Sequence, residues 1–93
     1  MSVINKDTQL FVFRKAGYIN IKESYIYIKE SLPRAFQVLI FRGTIKEVKK
    51  HLKRLEKEAN LFGCTPDSLK LLKEYRREYK HIKAIIKENQ SVG

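Results

Sequence analysis

The chain has 93 residues, 20 Lys and Arg against 10 Asp and Glu, and a formal net charge of +10. That length holds one domain, 1–93, because two halves would each be too small to bury a core. A hydrophobic fraction of 43% excludes a wholly disordered chain, and no run approaches the roughly 18 apolar residues of a membrane span.

The charge excess is +4 over residues 1–43 (7 basic, 3 acidic) and +6 over 44–93 (13 basic, 7 acidic), so it lies along the whole chain and not in a tail. It points to a polyanionic partner: nucleic acid first, an anionic membrane surface second. A lysine-rich solubilising surface is the bland counterpart. The single cysteine, Cys64, excludes an intramolecular disulfide and a multi-cysteine zinc site. With no basic-then-apolar leader in MSVINKDTQL, the expected setting is cytoplasmic.

The first half reads as strands. In TQLFVFR, residues 8–14, Phe11 and Phe13 share one face while Leu10, Val12 and Arg14 share the other. KAG follows at 15–17. A three-residue loop ending in a left-handed Gly17 would set Arg14 opposite Tyr18, Phe13 opposite Ile19 and Phe11 opposite Ile21. Residues 18–31 then write one heptapeptide twice, YINIKES and YIYIKES. Seven is odd and strand side chains alternate with period two, so a straight strand would send Ile19 and Ile21 one way and Ile26 and Ile28 the other. A four-residue turn over 22–25 restores the parity and gathers all four isoleucines with Phe11 and Phe13; a bent, bulged single strand is the alternative. Pro33 breaks the pattern, and AFQVLIF at 35–41 reads as a fourth, well-buried and central strand.

After RGT the period changes. Thr44 and Glu47 form a capping box for a helix over 44–62, with Ile45, Val48, Leu52, Leu55, Ala59 and Phe62 as its seam. Gly63 suits the left-handed residue after a helix. Thr65, Pro66 and Asp67 start a second helix over 65–89, with Leu69, Leu72, Tyr75, Tyr79, Ile82 and Ile86 as its seam and 90–93 as a frayed tail. The short connection makes the helices antiparallel neighbours. The expected fold is α+β: an antiparallel sheet of about four strands (ββββ, about 8–42) followed by an antiparallel two-helix hairpin.

Two surfaces are candidate nucleic-acid contacts. On the predicted sheet face away from the isoleucines sit Arg14, Tyr18, Asn20, Lys22, Tyr25, Tyr27 and Lys29, where tyrosines could stack on bases and cations hold phosphates. Half-exposed structural tyrosines or a protein contact would look the same. On the helices, Lys46, Lys49, Lys50, Lys53, Arg54 and Lys57, then Lys70, Lys73, Arg76, Arg77, Lys80, Lys83 and Lys87, recur at steps of three and four and so form stripes. Glu74 and Glu78 interrupt the second stripe, and solvated helices are commonly charged.

Signals for catalysis are poor. His51 and His81 lie on different helices without metalloprotease spacing, Cys64 has no histidine close in sequence, and FRGT lacks the phosphate-loop pattern. No metal or cofactor is expected, and the chain reads as a non-enzyme. The stretch from the sheet into FRGTIKEVKKHLKRLEKE is similar in element order to the three-stranded-sheet-plus-helix arm-binding domains of phage-type integrases, which read DNA with the sheet. That resemblance covers about residues 8–60, leaves the second helix outside it and assigns no residue a role. The leading expectation is a small basic nucleic-acid-binding protein, an accessory or small subunit of a replication, transcription or ribonucleoprotein complex. A protein-binding adaptor or homodimer is the alternative, and a small toxin-type ribonuclease the weaker one.

Overall fold

The computed structural model describes residues 4–15, 17–22 and 38–91. Three strands, β1 (Leu10–Lys15), β2 (Tyr18–Lys22) and β3 (Val38–Gly43), are followed by α1 (Ile45–Phe62) and α2 (Pro66–Ser91). The fold is α+β, with a three-stranded antiparallel sheet of order β2-β1-β3 and a two-helix hairpin. The described sheet thus has three strands where four were expected; the strand expected after the 22–25 turn lies outside the described residues, as do turn residues 23–25, while Lys22, expected to open that turn, is the last residue of β2 and pairs with Phe11. The central strand is β1, not the strand after Pro33. β3 is an edge among the described strands, and its residues Val38, Leu39 and Ile40 are exposed.

The β1–β2 register corrects the sequence expectation by one residue. Lys15 pairs with Tyr18, Arg14 with Ile19, Phe13 with Asn20, Val12 with Ile21 and Phe11 with Lys22. The loop therefore spans two residues instead of three, with Gly17 at φ 88°. A one-residue slip exchanges the faces of a strand. Ile19 and Ile21 consequently join Leu10 and Val12 in the main core, while Phe11 and Phe13 form a separate buried pair on the opposite face. A bulge in β3 adds a second change of face: Val12 pairs with Phe41 and Phe13 with Leu39, leaving Ile40 between them.

The helices form where their caps predict. The Thr44 hydroxyl accepts from the Glu47 amide at 3.4 Å, and the Glu47 carboxylate accepts from the Thr44 amide at 3.0 Å, which completes the capping box. Hydrogen bonding to the Thr44 backbone, then to its hydroxyl, holds the Glu47 carboxyl below its usual range. Gly63 ends α1 with φ 75° and ψ 165°, a positive φ but an extended ψ and so not the left-handed helical conformation. Thr65 caps α2 through the Ser68 amide at 3.2 Å, and Pro66 is its first residue.

Both helices lie on the Leu10–Val12 side of the sheet, α1 against β3 and α2 against β2. Val48 and Leu52 from α1 meet Tyr75, Tyr79, Ile82 and Ile86 from α2 in one core. The seams stop short of the hairpin tip: Phe62 is 84% exposed and Leu69 48%, against the expectation that both would be buried. At the far end, the Asn89 side-chain amide donates to the Ile4 carbonyl at 2.8 Å and fastens the segment before β1 to the end of α2.

Candidate nucleic-acid interface and the groove behind it

The sheet candidates do not assemble as expected. Arg14 pairs with Ile19 and Val38, so it projects on the helix side and not with Tyr18. Tyr18, Asn20 and Lys22 do share the opposite face, but they share it with the buried Phe11 and Phe13. The Lys15 ammonium lies 5.7 Å from the centre of the Tyr18 ring, and hydrogen bonding to Lys15, then to Asn20, lowers the phenol's pKa. Tyr25, Tyr27 and Lys29 lie outside the described residues.

The helix candidates are all exposed: Lys46, Lys49, Lys50, Lys53, Arg54 and Lys57 on α1, and Lys70, Lys73, Arg76, Arg77, Lys80, Lys83 and Lys87 on α2. Position follows from helical spacing. Lys46, Lys50, Lys53 and Lys57 lie opposite the buried seam of α1. A salt bridge from Glu56 to Arg76 fixes the flank on which the two helices meet at the surface. Lys49 and Lys53 share that flank of α1, while Lys73, Lys80 and Lys83 share it on α2. A shallow depression of about 310 Å³ on α2 is lined by Lys73, Arg76, Arg77 and Lys80 alone. Arg77 is also paired with Glu74, one turn away on its own helix. Arg54 and Lys50 sit apart, in a dip of about 290 Å³ beside Phe41 that includes Glu47 and His51.

Behind the hairpin lies a different surface. A groove of about 530 Å³ opens between the hairpin tip and the end of the sheet, lined by Ile19, Ile40, Leu55, Ala59, Phe62, Leu71 and Leu72, among others. Arg14 stands on its sheet side and Glu58 on its α1 side, with Cys64, an exposed free thiol, also in its lining.

His51 and Tyr75 contribute to the same lining. The His51 ring stacks on Phe41 at 4.3 Å with the planes 7° apart, and its Nδ1 is 2.8 Å from the Tyr75 hydroxyl. Desolvation lowers the His51 pKa first, the nearby Arg54 charge lowers it further, and Glu58 opposes both. Burial pushes the Tyr75 hydroxyl up. A protonated Tyr75 and a neutral His51 therefore suit one another, the hydroxyl donating to Nδ1. Sequence reasoning passed over His51 as a core member, although it stands three residues after Val48 and four before Leu55, which is seam spacing. Nothing in the spacing announced the groove, because it exists where the apolar seams outrun their cover.

Among the described residues, no group of three His, Cys, Asp or Glu side chains could hold a metal ion, and no helix is long and apolar enough to cross a membrane. Compared with known protein families, curated proteins and solved structures, the chain matches none. The similarity to integrase arm-binding domains therefore stands on element order alone.

Proposed function

We propose that the protein is a non-enzymatic nucleic-acid-binding subunit that holds a phosphate backbone on the outer face of its helical hairpin. The observation that carries this reading is the depression lined by Lys73, Arg76, Arg77 and Lys80, with no carboxylate in its lining. Lys49 and Lys53 extend the same positive valley across α1. The Glu56–Arg76 and Glu74–Arg77 pairs hold two of the guanidinium groups in place, and each guanidinium has more donors than one carboxylate can use. Such a surface contacts phosphates without reading bases, which supports an accessory role in a larger nucleoprotein complex in place of sequence recognition.

The test is an electrophoretic titration with single- and double-stranded DNA and RNA. If four phosphates are neutralised, raising salt from about 50 to about 200 mM should weaken binding roughly 100-fold. Lys73→Glu combined with Lys80→Glu should abolish most of the binding at the lower salt. No binding to any of the four polymers at low salt would sink the proposal, and RNA cleavage in the same gels would transfer it to a ribonuclease.

The exposed apolar groove favours a second reading, a protein-binding adaptor, and the two are compatible because they use opposite sides of the hairpin.

A further inference from the structure

The groove has the size of a built recognition site, about 530 Å³, where such sites span about 300–1,000 Å³. Its walls come from three directions: Ile40 from the sheet, Leu55 from α1 and Leu72 from α2, with Phe62 at the mouth. Phe62 is 84% exposed, and covering a phenyl group that stands in water beside other apolar surface is favourable. A phosphate backbone offers nothing to bury there. A second copy of this chain would bring another +10 against the first, and that repulsion opposes closure.

The chain's net charge of +10 favours an acidic partner, and the lining carries one cation and one anion, Arg14 and Glu58, with Glu58, like Arg14, outside any ion pair among the described residues. Arg14 is exposed and has no ion-pair partner among the described residues. Glu58, on the α1 side, is the opposing charge. We propose that the groove docks an acidic amphipathic helix from a partner protein. Its apolar side chains, at steps of three and four, enter between Leu55, Leu72 and Ile40, and a carboxylate on its flank meets Arg14. The partner's acidic flank lies on the Arg14 side of the groove, away from Glu58. This site uses different residues from the phosphate-binding valley, and neither depends on the other.

The probe is a synthetic helical peptide of about 16 residues with Leu, Leu and Phe on one face and Glu on the other. Two controls replace the apolar face by Ser or the Glu residues by Lys. Because Cys64 is the chain's single cysteine and lines the groove, its alkylation rate reports occupancy there and not on the cationic valley. The acidic peptide should bind, slow Cys64 alkylation, and lose no more than about threefold in affinity in about 0.5 M salt, where charge contacts are screened. Phe62→Ser should weaken it about fivefold and Arg14→Glu about tenfold, both at exposed positions where folding is little affected, whereas Glu58→Lys should tighten it about threefold. Equal binding by the Ser or the Lys control overturns the proposal. So does binding that leaves Cys64 alkylation unchanged, because the peptide then sits elsewhere. A dimer formed without peptide and dissolved by Phe62→Ser would overturn it in favour of a second copy.

Discussion

The two sides of the helical hairpin are built from the same 18- and 26-residue helices yet present opposite chemistry. The outer side carries Lys49, Lys53, Lys73, Arg76 and Lys80 around one ion-paired Glu56. The side toward the sheet carries Leu55, Leu71, Leu72 and Phe62 around a His51–Tyr75 bond. A cationic surface acts over a distance set by ionic strength, while an apolar groove acts only on contact and is nearly indifferent to salt. One hairpin can therefore separate two partners by chemistry, so long as both surfaces are backed by the same packed interior.

Leu52 tests that dependence most severely. It is buried between the helices, 3% exposed, and belongs to the core that supports both surfaces. Leu52→Ala should cost about 2–5 kcal/mol of stability in urea unfolding. Any affinity for nucleic acid and for the acidic peptide should fall together; loss of one alone would mean that the two sides are not the backs of one rigid body.

Tyr75→Phe separates the sides. It leaves the His51 Nδ1 without its partner on the groove side only, so it should cost about 1–2 kcal/mol at pH 8 and leave binding on the outer valley unchanged. Changing His51 and Tyr75 to Phe together removes both polar groups and should cost less than the single change in a double-mutant cycle. The pH dependence has a definite sign. His51 is held neutral in the fold, below its ordinary value of 6.5. Between 6.5 and that lower value the unfolded chain binds the extra proton, so stability is full above 6.5 and is lost as pH falls through that window. The double variant should flatten this slope in thermal melts between about pH 7 and 5.

The smallest effect is expected at Phe62. Phe62→Ser should change unfolding stability by less than about 0.5 kcal/mol, because the ring packs on little, and should leave nucleic-acid affinity unaltered. A larger destabilisation would make Phe62 part of the core and remove the contrast between the hairpin's tip and its middle.

The helical half was legible because its signals are local. The Thr44–Glu47 box, Pro66 at a first helical turn and seams spaced by three and four all act within one or two turns of chain. The strand half was less so because its faces depend on counting across loops. KAG read as a three-residue loop instead of two moved Phe11 and Phe13 into the isoleucine core on paper; the true register parts them. The bulge at Ile40 is another count of one, invisible in an unbroken apolar run such as VLIF. Of the proposed phosphate surface, the stripes of lysine were visible in the spacing, but the flank on which α1 and α2 meet came from a tertiary contact, Glu56 with Arg76. The apolar groove was not legible at all, since a seam residue left uncovered looks identical in sequence to one that is buried.

The bond from Asn89 to the Ile4 carbonyl has a consequence for how the molecule is made. Its two residues are separated by 85 positions, so on the ribosome the segment before β1 waits for nearly all of the sheet and hairpin to emerge before this partner exists. Contacts of such long sequence separation are slow to form, because loop closure precedes any gain. The segment around Ile4, ahead of the central strand, should therefore be the last region to acquire protection from amide exchange during refolding, after the hairpin has already closed on itself.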